Sequence, residues 1–369
     1  MTEPVPNDEL EAERLGPEES ILGRRRTRDE EDYRAWCEAV YGMVELGEEV
    51  FHPADVLDRL APVIARRGRE DAAAQIRTDL ERAVCEQFPA PIAIPFHGFL
   101  EGPRQPLTRL HRLRDTWESL IRLLAAMALS EATRIAALKP LILREGKDQP
   151  WRDCSRKDIF SDKLARRIGL VEGILHRASE LGIELQLASL VPLDVLSEIR
   201  RLNVVRNGFS HESTKSDGQA TEIIEEAYPL FRDVLLDLRD MQGIELLRIR
   251  GIEAGPKAEV ERLNGHAQSR SIREITLDDD AAAVVLFATQ VDGMARVLAR
   301  VPGLTLDLSP FFYACDDTTG HWTRVLDFKY KKNSKWHLEC VADSTTRTSP
   351  AAVHEALLVR IESLLGRSA

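Results

Sequence analysis

Four successive helical stripes between residues 107 and 241 constrain the fold more than any other feature of this chain. The first is the longest. Over 107–137, Leu110, Leu113, Trp117, Leu120, Ile121, Leu124, Met127 and Ala128 recur at three- and four-residue spacing, which marks a wide apolar face on one helix. The second runs over 162–181 through Leu164, Ile168, Val171, Ile174 and Leu175, and the third over 191–209 through Val195, Leu196, Ile199, Leu202 and Val205. The fourth spans 219–241 with Ile223, Ile224, Ala227, Leu230, Phe231, Val234, Leu235 and Leu238, and Pro229 is expected to kink it. Mostly short connections favour antiparallel neighbours, so the four stripes are expected to bury one another as a bundle.

The flanks read differently. Residues 1–30 are charged and poor in apolar groups, with Arg24-Arg25-Arg26 inside an acidic run, and are expected to form a disordered tail. Residues 31–100 suit a small helical unit. Tyr33, Trp36, Cys37, Val40 and Tyr41 share one face, Pro53 can open a helix with Val56, Leu57, Leu60 and Val63 on its apolar side, and a third helix runs from Asp71 to Val84. The prolines at 89, 91 and 95 predict an extended connector over 88–96. Leu138 to Leu143 is read as an extension of the first bundle helix past Pro140.

After residue 243 the pattern turns to mixed α and β. Strands are expected over 244–251, 272–277, 304–308 and 311–315. A hairpin is expected from 323–330 and 336–341 around Lys331-Lys332-Asn333-Ser334-Lys335, and a helix over 351–365. Residues 253–265 read as an exposed connector, and Asp278-Asp279-Asp280 as a solvated turn. The expected organisation is thus a mainly α protein: tail 1–30, helical unit and connector 31–100, bundle 101–243, and a smaller α+β domain 244–369.

Composition bounds the chemistry. The 369 residues carry a formal charge of −11, so any nucleic-acid contact must be a local basic surface on an acidic body. Five scattered cysteines, never spaced as CxxC, argue against structural zinc and a disulfide framework. With no segment that reads as a signal peptide and no apolar run of membrane-spanning length, the expected location is the cytoplasm, with no membrane contact. Walker A, GxGxxG, HExxH and GxSxG patterns are absent, so no cofactor and no metal are expected.

One motif does carry chemistry. In Arg206-Asn207-Gly208-Phe209-Ser210-His211 an always-charged guanidinium precedes an imidazole by five residues, with an amide between them. Arg206 follows Ile199 by seven residues, about 700° around a helix, so it lies within roughly 20° of the apolar line. Such an Arg faces a polar cleft or a partner chain. Gly208 loosens the helix end, which lets His211 swing toward Arg206. Glu118, beside the first stripe, can partner either residue. In the hairpin, Lys331, Lys332, Lys335 and Trp336 are the candidate RNA-binding residues, by charge and stacking.

The string Arg206-Asn207-x-x-x-His211, near the end of a helix in a four-helix stretch, resembles the HEPN (higher eukaryotes and prokaryotes nucleotide-binding) domains over about 107–241. The resemblance implies a metal-independent endoribonuclease with its active site at a homodimer interface of two bundles. Carried over, Arg206 polarises the scissile phosphate, His211 is the general acid/base, and Asn207 orients the His or the phosphate. It also implies a toxin or anti-phage role, with an inhibitory or activating protein partner. The alternative it leaves open is a non-catalytic nucleotide-binding or assembly module.

Overall fold

The computed structural model describes residues 17–47, 49–144, 151–210, 216–252, 256–267, 271–287, 289–319 and 322–365. They fall into two compact units, Met1–Arg82 and Ala83–Ala369.

In the first unit α1 (Pro17–Tyr41) leads to a hairpin of β1 (Val44–Leu46) and β2 (Glu49–Phe51), then to α2 (Pro53–Leu60) and most of α3 (Pro62–Glu86). Residues 17–30, expected in a loose tail, are helix instead, and residues 1–16 lie outside the described residues. Pro17 stands at the first helical position, where its missing N–H costs nothing, and the Glu- and Arg-rich run behind it consists of strong helix formers. Tyr33, Cys37, Ala54 and Ala72 make the core, with Trp36 and Leu57 against it. The apolar side expected for α2 holds for the half-buried Val56 and Leu57 but not for Leu60 and Val63. Pro62 stops the helix, and Leu60 and Val63 are 80% and 81% exposed.

The second unit begins with a correction. Residues 90–100 form α4 (Ala90–Leu100), not an extended connector. Pro89 is the N-cap and Pro91 falls in the first turn, so only Pro95 deletes an interior backbone donor. Burial offsets that loss: Ile92, Ala93, Phe96 and Phe99 are fully buried, and α4 packs along α5 (Pro106–Ala132). A further correction concerns 138–143. Pro140 follows a cis peptide bond, and β3 (Ile142–Arg144) pairs with β4 (Trp151–Asp153) where helix was expected. Next come the one-turn α6 (Arg156–Ile159), then α7 (Leu164–Glu180), α8 (Gln186–Leu190), α9 (Leu193–Ser210) and α10 (Asp217–Asp237). Helices α5, α7, α9 and α10 close a ring: α5 packs on α7 and α10, and so does α9. None of the described helices is long and apolar enough to cross a membrane.

The remaining chain builds one large antiparallel sheet. Its strands are β5 (Glu245–Ile252), β6 (Lys257–Arg262), β7 (Ile272–Thr276), β8 (Gln290–Val291), β9 (Met294–Val301), β10 (Leu304–Asp307), β11 (Phe312–Asp316), β12 (Thr323–Lys332), β13 (Lys335–Cys340) and β14 (Thr346–Pro350). The order is β14-β13-β12-β11-β9-β5-β6-β7, with β8 and β10 also paired to β9. Helix α11 (Asp279–Phe287) follows β7, and α12 (Glu355–Glu362) follows β14. Strand β6 stands where an exposed connector was expected. The hairpin of β12 and β13 turns on Asn333 and Ser334, both at positive φ, and sets Lys332 across from Lys335. Bundle and sheet belong to the same compact unit, so the boundaries expected after residues 100 and 243 both fall inside Ala83–Ala369.

Candidate functional site

Arg206 occupies the inward line of α9, two turns beyond the buried Ile199. Its guanidinium reaches α5 and pairs with Glu118. Glu118 also accepts a hydrogen bond from Arg122 at 2.6 Å, one turn further along α5, while Arg114 Nε stands 3.8 Å away, one turn back. Arg122 donates as well to Asp327 of β12 at 2.9 Å. Lys329 of the same strand lies 3.0 Å from Glu339 and 3.9 Å from Asp327. From α7, Arg167 donates to the carbonyls of Ser161 at 3.0 Å and Phe328 at 3.1 Å. The site is therefore a charged seam where α5, α7 and α9 meet β12. Helical spacing sets it up, because Arg114, Glu118 and Arg122 recur every four residues on one side of α5.

Electrostatics assigns the roles. Burial by itself pushes the Glu118 carboxyl up, but Arg122 and Arg206 outweigh burial and hold it at about 2. Glu118 is thus a permanent anion at neutral pH. It can fix a guanidinium but cannot shuttle a proton. Burial, followed by repulsion from Arg122, brings Arg167 down to about 9, and its hydrogen bonds go to the carbonyls of Ser161 and Phe328. Arg206 keeps 24% of its side chain exposed against 10% for Glu118. Arg206 is thus the more exposed member of the pair.

The remaining candidates separate. Asn207 lies in α9, but its side chain falls outside the described residues, and so does all of His211. Lys331, Lys332 and Lys335 are exposed on the hairpin. Trp336 is not: it is 1% exposed, with its ring centroid 4.4 Å from Phe328 and 4.8 Å from His354. Its expected stacking role is corrected on that ground, because strand alternation turns position 336 to the packed face. Strand β14 pairs along β13 over 335–339, and β11 pairs along β12 over 323–327. The acidic triplet opens α11 where a turn was expected, with Asp279 and Asp280 exposed and Asp278 half-buried. Asp278 accepts from the Ala281 amide at 2.8 Å, capping α11, and Asp278 and Asp280 both pair with Arg134 from the end of α5.

Two further groupings were not singled out in the sequence. His97 stacks on His266 with centroids 3.8 Å apart and planes 4° from parallel, and burial followed by its neighbour's charge lowers the His97 pKa. The Tyr313 hydroxyl lies 2.8 Å from His354 Nδ1, and His354 Nε2 lies 2.9 Å from Ser349 Oγ. That line resembles a nucleophile and its base, but Ser349, His354 and Tyr313 are all 0% exposed, so no substrate reaches it. Its sequence separation, with Tyr313 some forty residues from His354, left no local signal. Among the described residues no group of three or more His, Cys, Asp or Glu is arranged to hold a metal ion. No family model matches the chain, and neither a curated protein nor a solved structure matches it.

Proposed function

We propose that the chain is a HEPN-like endoribonuclease that cleaves RNA without a metal, by attack of the ribose 2′-hydroxyl on the adjacent phosphate. The observation that carries this reading is the Arg206–Glu118 pair: a guanidinium anchored by a permanent anion, partly exposed, five residues before His211. A guanidinium held in place by a carboxylate is a positioned positive charge, which is what stabilising a phosphorane-like charge requires. His211 takes the proton from the 2′-hydroxyl and returns one to the leaving 5′-oxygen, and Asn207 orients it or the phosphate. The products are a 2′,3′-cyclic phosphate and a 5′-hydroxyl, and DNA, which has no 2′-hydroxyl, is spared. In this reading two bundles face each other in a homodimer, each contributing Arg206 and His211. The flanking elements select the target or answer to a protein partner, in a cytoplasmic toxin or anti-phage role.

One observation favours a second reading, a non-catalytic nucleotide-binding or assembly module. Glu118 already neutralises Arg206, so the pair can serve as a brace between α5 and α9. Incubation of purified protein with total RNA in EDTA separates the two. The nuclease gives cyclic-phosphate ends, and Arg206→Ala and His211→Ala each lower the rate at least ~100-fold. Intact RNA with wild-type protein, with and without cell extract as a source of activator, leaves the assembly module.

A further inference from the structure

The tip of the β12–β13 hairpin is charged in a way its own fold does not use. Residues 328–338 hold Lys329, Lys331, Lys332 and Lys335 and no carboxylate, in a chain whose formal charge is −11. Lys329 is spoken for by Glu339 and Asp327. Lys331, Lys332 and Lys335 are exposed and make no ion pair among the described residues. Register makes this costly, because Lys332 and Lys335 stand directly across from each other, an arrangement that destabilises a hairpin. On the β13 side Lys335 does not guard a free strand edge, since β14 covers β13 along 335–339, whereas β11 pairs with β12 only along 323–327.

Beside this repulsive pair lies an aromatic surface. Tyr330 faces His337 across the strands, with ring centroids 4.5 Å apart and planes 23° from parallel. Tyr330 remains 41% exposed. Alternation sets Tyr330, Lys332, Lys335 and His337 on one face of the hairpin, opposite to the face that buries Phe328 and Trp336. A bulge at Lys329 produces the switch: Phe328 pairs with Leu338, but Tyr330 pairs with His337, so one residue is skipped.

We propose that this face is a docking surface for single-stranded RNA, with Tyr330, backed by His337, as the stacking platform for a base and with Lys332 and Lys335 on the phosphates. A polyanion relieves the Lys332–Lys335 repulsion, and a flat ring is what the exposed area of Tyr330 is shaped to cover. The strand that carries the platform also carries Asp327, which holds Arg122 and, through it, Glu118. The platform is thus built into the same element that braces the Arg206 seam. The choice of RNA as the polyanion rests on the ribonuclease reading, but the surface does not depend on cleavage.

The test uses the full-length chain and a labelled, 2′-O-methyl 12-nucleotide RNA of mixed sequence, which cannot be cleaved by 2′-hydroxyl attack. Anisotropy titration at low salt is expected to show binding that weakens about tenfold in Tyr330→Ala and is retained in Tyr330→Phe. Lys332→Glu/Lys335→Glu is expected to weaken it at least tenfold and to lessen its salt dependence. Unchanged affinity in both variants overturns the proposal, and so does equal competition by polyglutamate, which marks a surface for acidic protein. Binding that requires Tyr330 while total RNA stays intact sinks the ribonuclease reading and leaves the platform. Cleavage by wild-type protein with unaltered binding in the variants does the reverse.

Discussion

Glu118 is the residue on which the seam depends. It neutralises Arg122, which is 6% exposed, and Arg206, and its own pKa of about 2 lies below the ordinary 4.5. A carboxylate depressed in the folded state contributes stability that is complete above pH 4.5 and is lost as pH falls toward 2. A difference of that size is worth about 3 kcal/mol. Glu118→Gln is therefore expected to lose about 3 kcal/mol in urea denaturation at pH 7, and to flatten the acid limb below pH 4.5. An unchanged midpoint removes the seam's central ion. His354 behaves in a second window. Burial lowers it from 6.5 to about 4, so the folded protein keeps it neutral while the unfolded chain protonates it. Its contribution is whole above pH 6.5 and falls away between 6.5 and 4, by about 3 kcal/mol. His354→Gln should remove that share of the decline, seen as a shallower fall of the unfolding midpoint from pH 6.5 to 4. The sequence offered Glu118 as a partner for Arg206, eighty-eight residues on, but gave no sign of the contact between His354 and Tyr313, forty-one residues back. What the sequence did carry was helical phase. Seven-residue spacing put Arg206 on the line of Ile199, and that line faces α5.

At the scale of elements, the long periodic helices were legible and the short buried ones were not. α5, α7, α9 and α10 each present an apolar stripe to neighbours on one side, and a stripe is a periodic signal. α4 is apolar nearly all round, so periodicity vanished and three prolines gave the wrong reading. β9 sits in mid-sheet with seven of its eight residues buried, so it lacks the alternation that marks a half-exposed strand. The clasp that follows β6 is a sharper test of element geometry. Gly265 at φ 74 donates to the Phe88 carbonyl at 2.8 Å, and a Cβ there would stand 2.6 Å from the Glu86 carbonyl oxygen. Gly303 has nearly the same φ, 75, with nothing within 4 Å. Gly265→Ala should thus cost at least ~2 kcal/mol in thermal or urea unfolding, and Gly303→Ala about 1 kcal/mol from backbone conformation alone. Equal losses would show that the clasp has room to move.

The whole second unit is held by charges that cross from helix to sheet. Arg112 donates to the Ala342 carbonyl, Arg122 to Asp327, Arg134 to Asp278 and Thr305, and Arg167 to Phe328. Separating bundle from sheet takes Asp327 from the buried Arg122 and the Phe328 carbonyl from the buried Arg167, and leaves them Glu118 and the Ser161 carbonyl on the bundle side. Residues 83–243 and 244–369, made apart, are expected to be poorly structured, with broad, non-cooperative melts, whereas the full chain keeps a sharp transition for this unit. Two independently folded halves with cooperative melts of their own would refute that joint core.

The sequence by itself determined the helical class of the first half, the phase of each bundle helix, the hairpin around 331–335 and the β character of the C-terminal region. These follow from local periodicity, which a chain carries wherever one face of an element is buried and the other is wet. Tertiary structure alone decided that bundle and sheet share one core, that α4 is helix despite its prolines, and that Trp336 is inside while Tyr330 is outside. It also decided that Glu118 is shared between Arg206 and Arg122. A single bulge at Lys329 reversed the faces of the hairpin, and contacts made across the fold leave no mark on neighbouring residues in the chain.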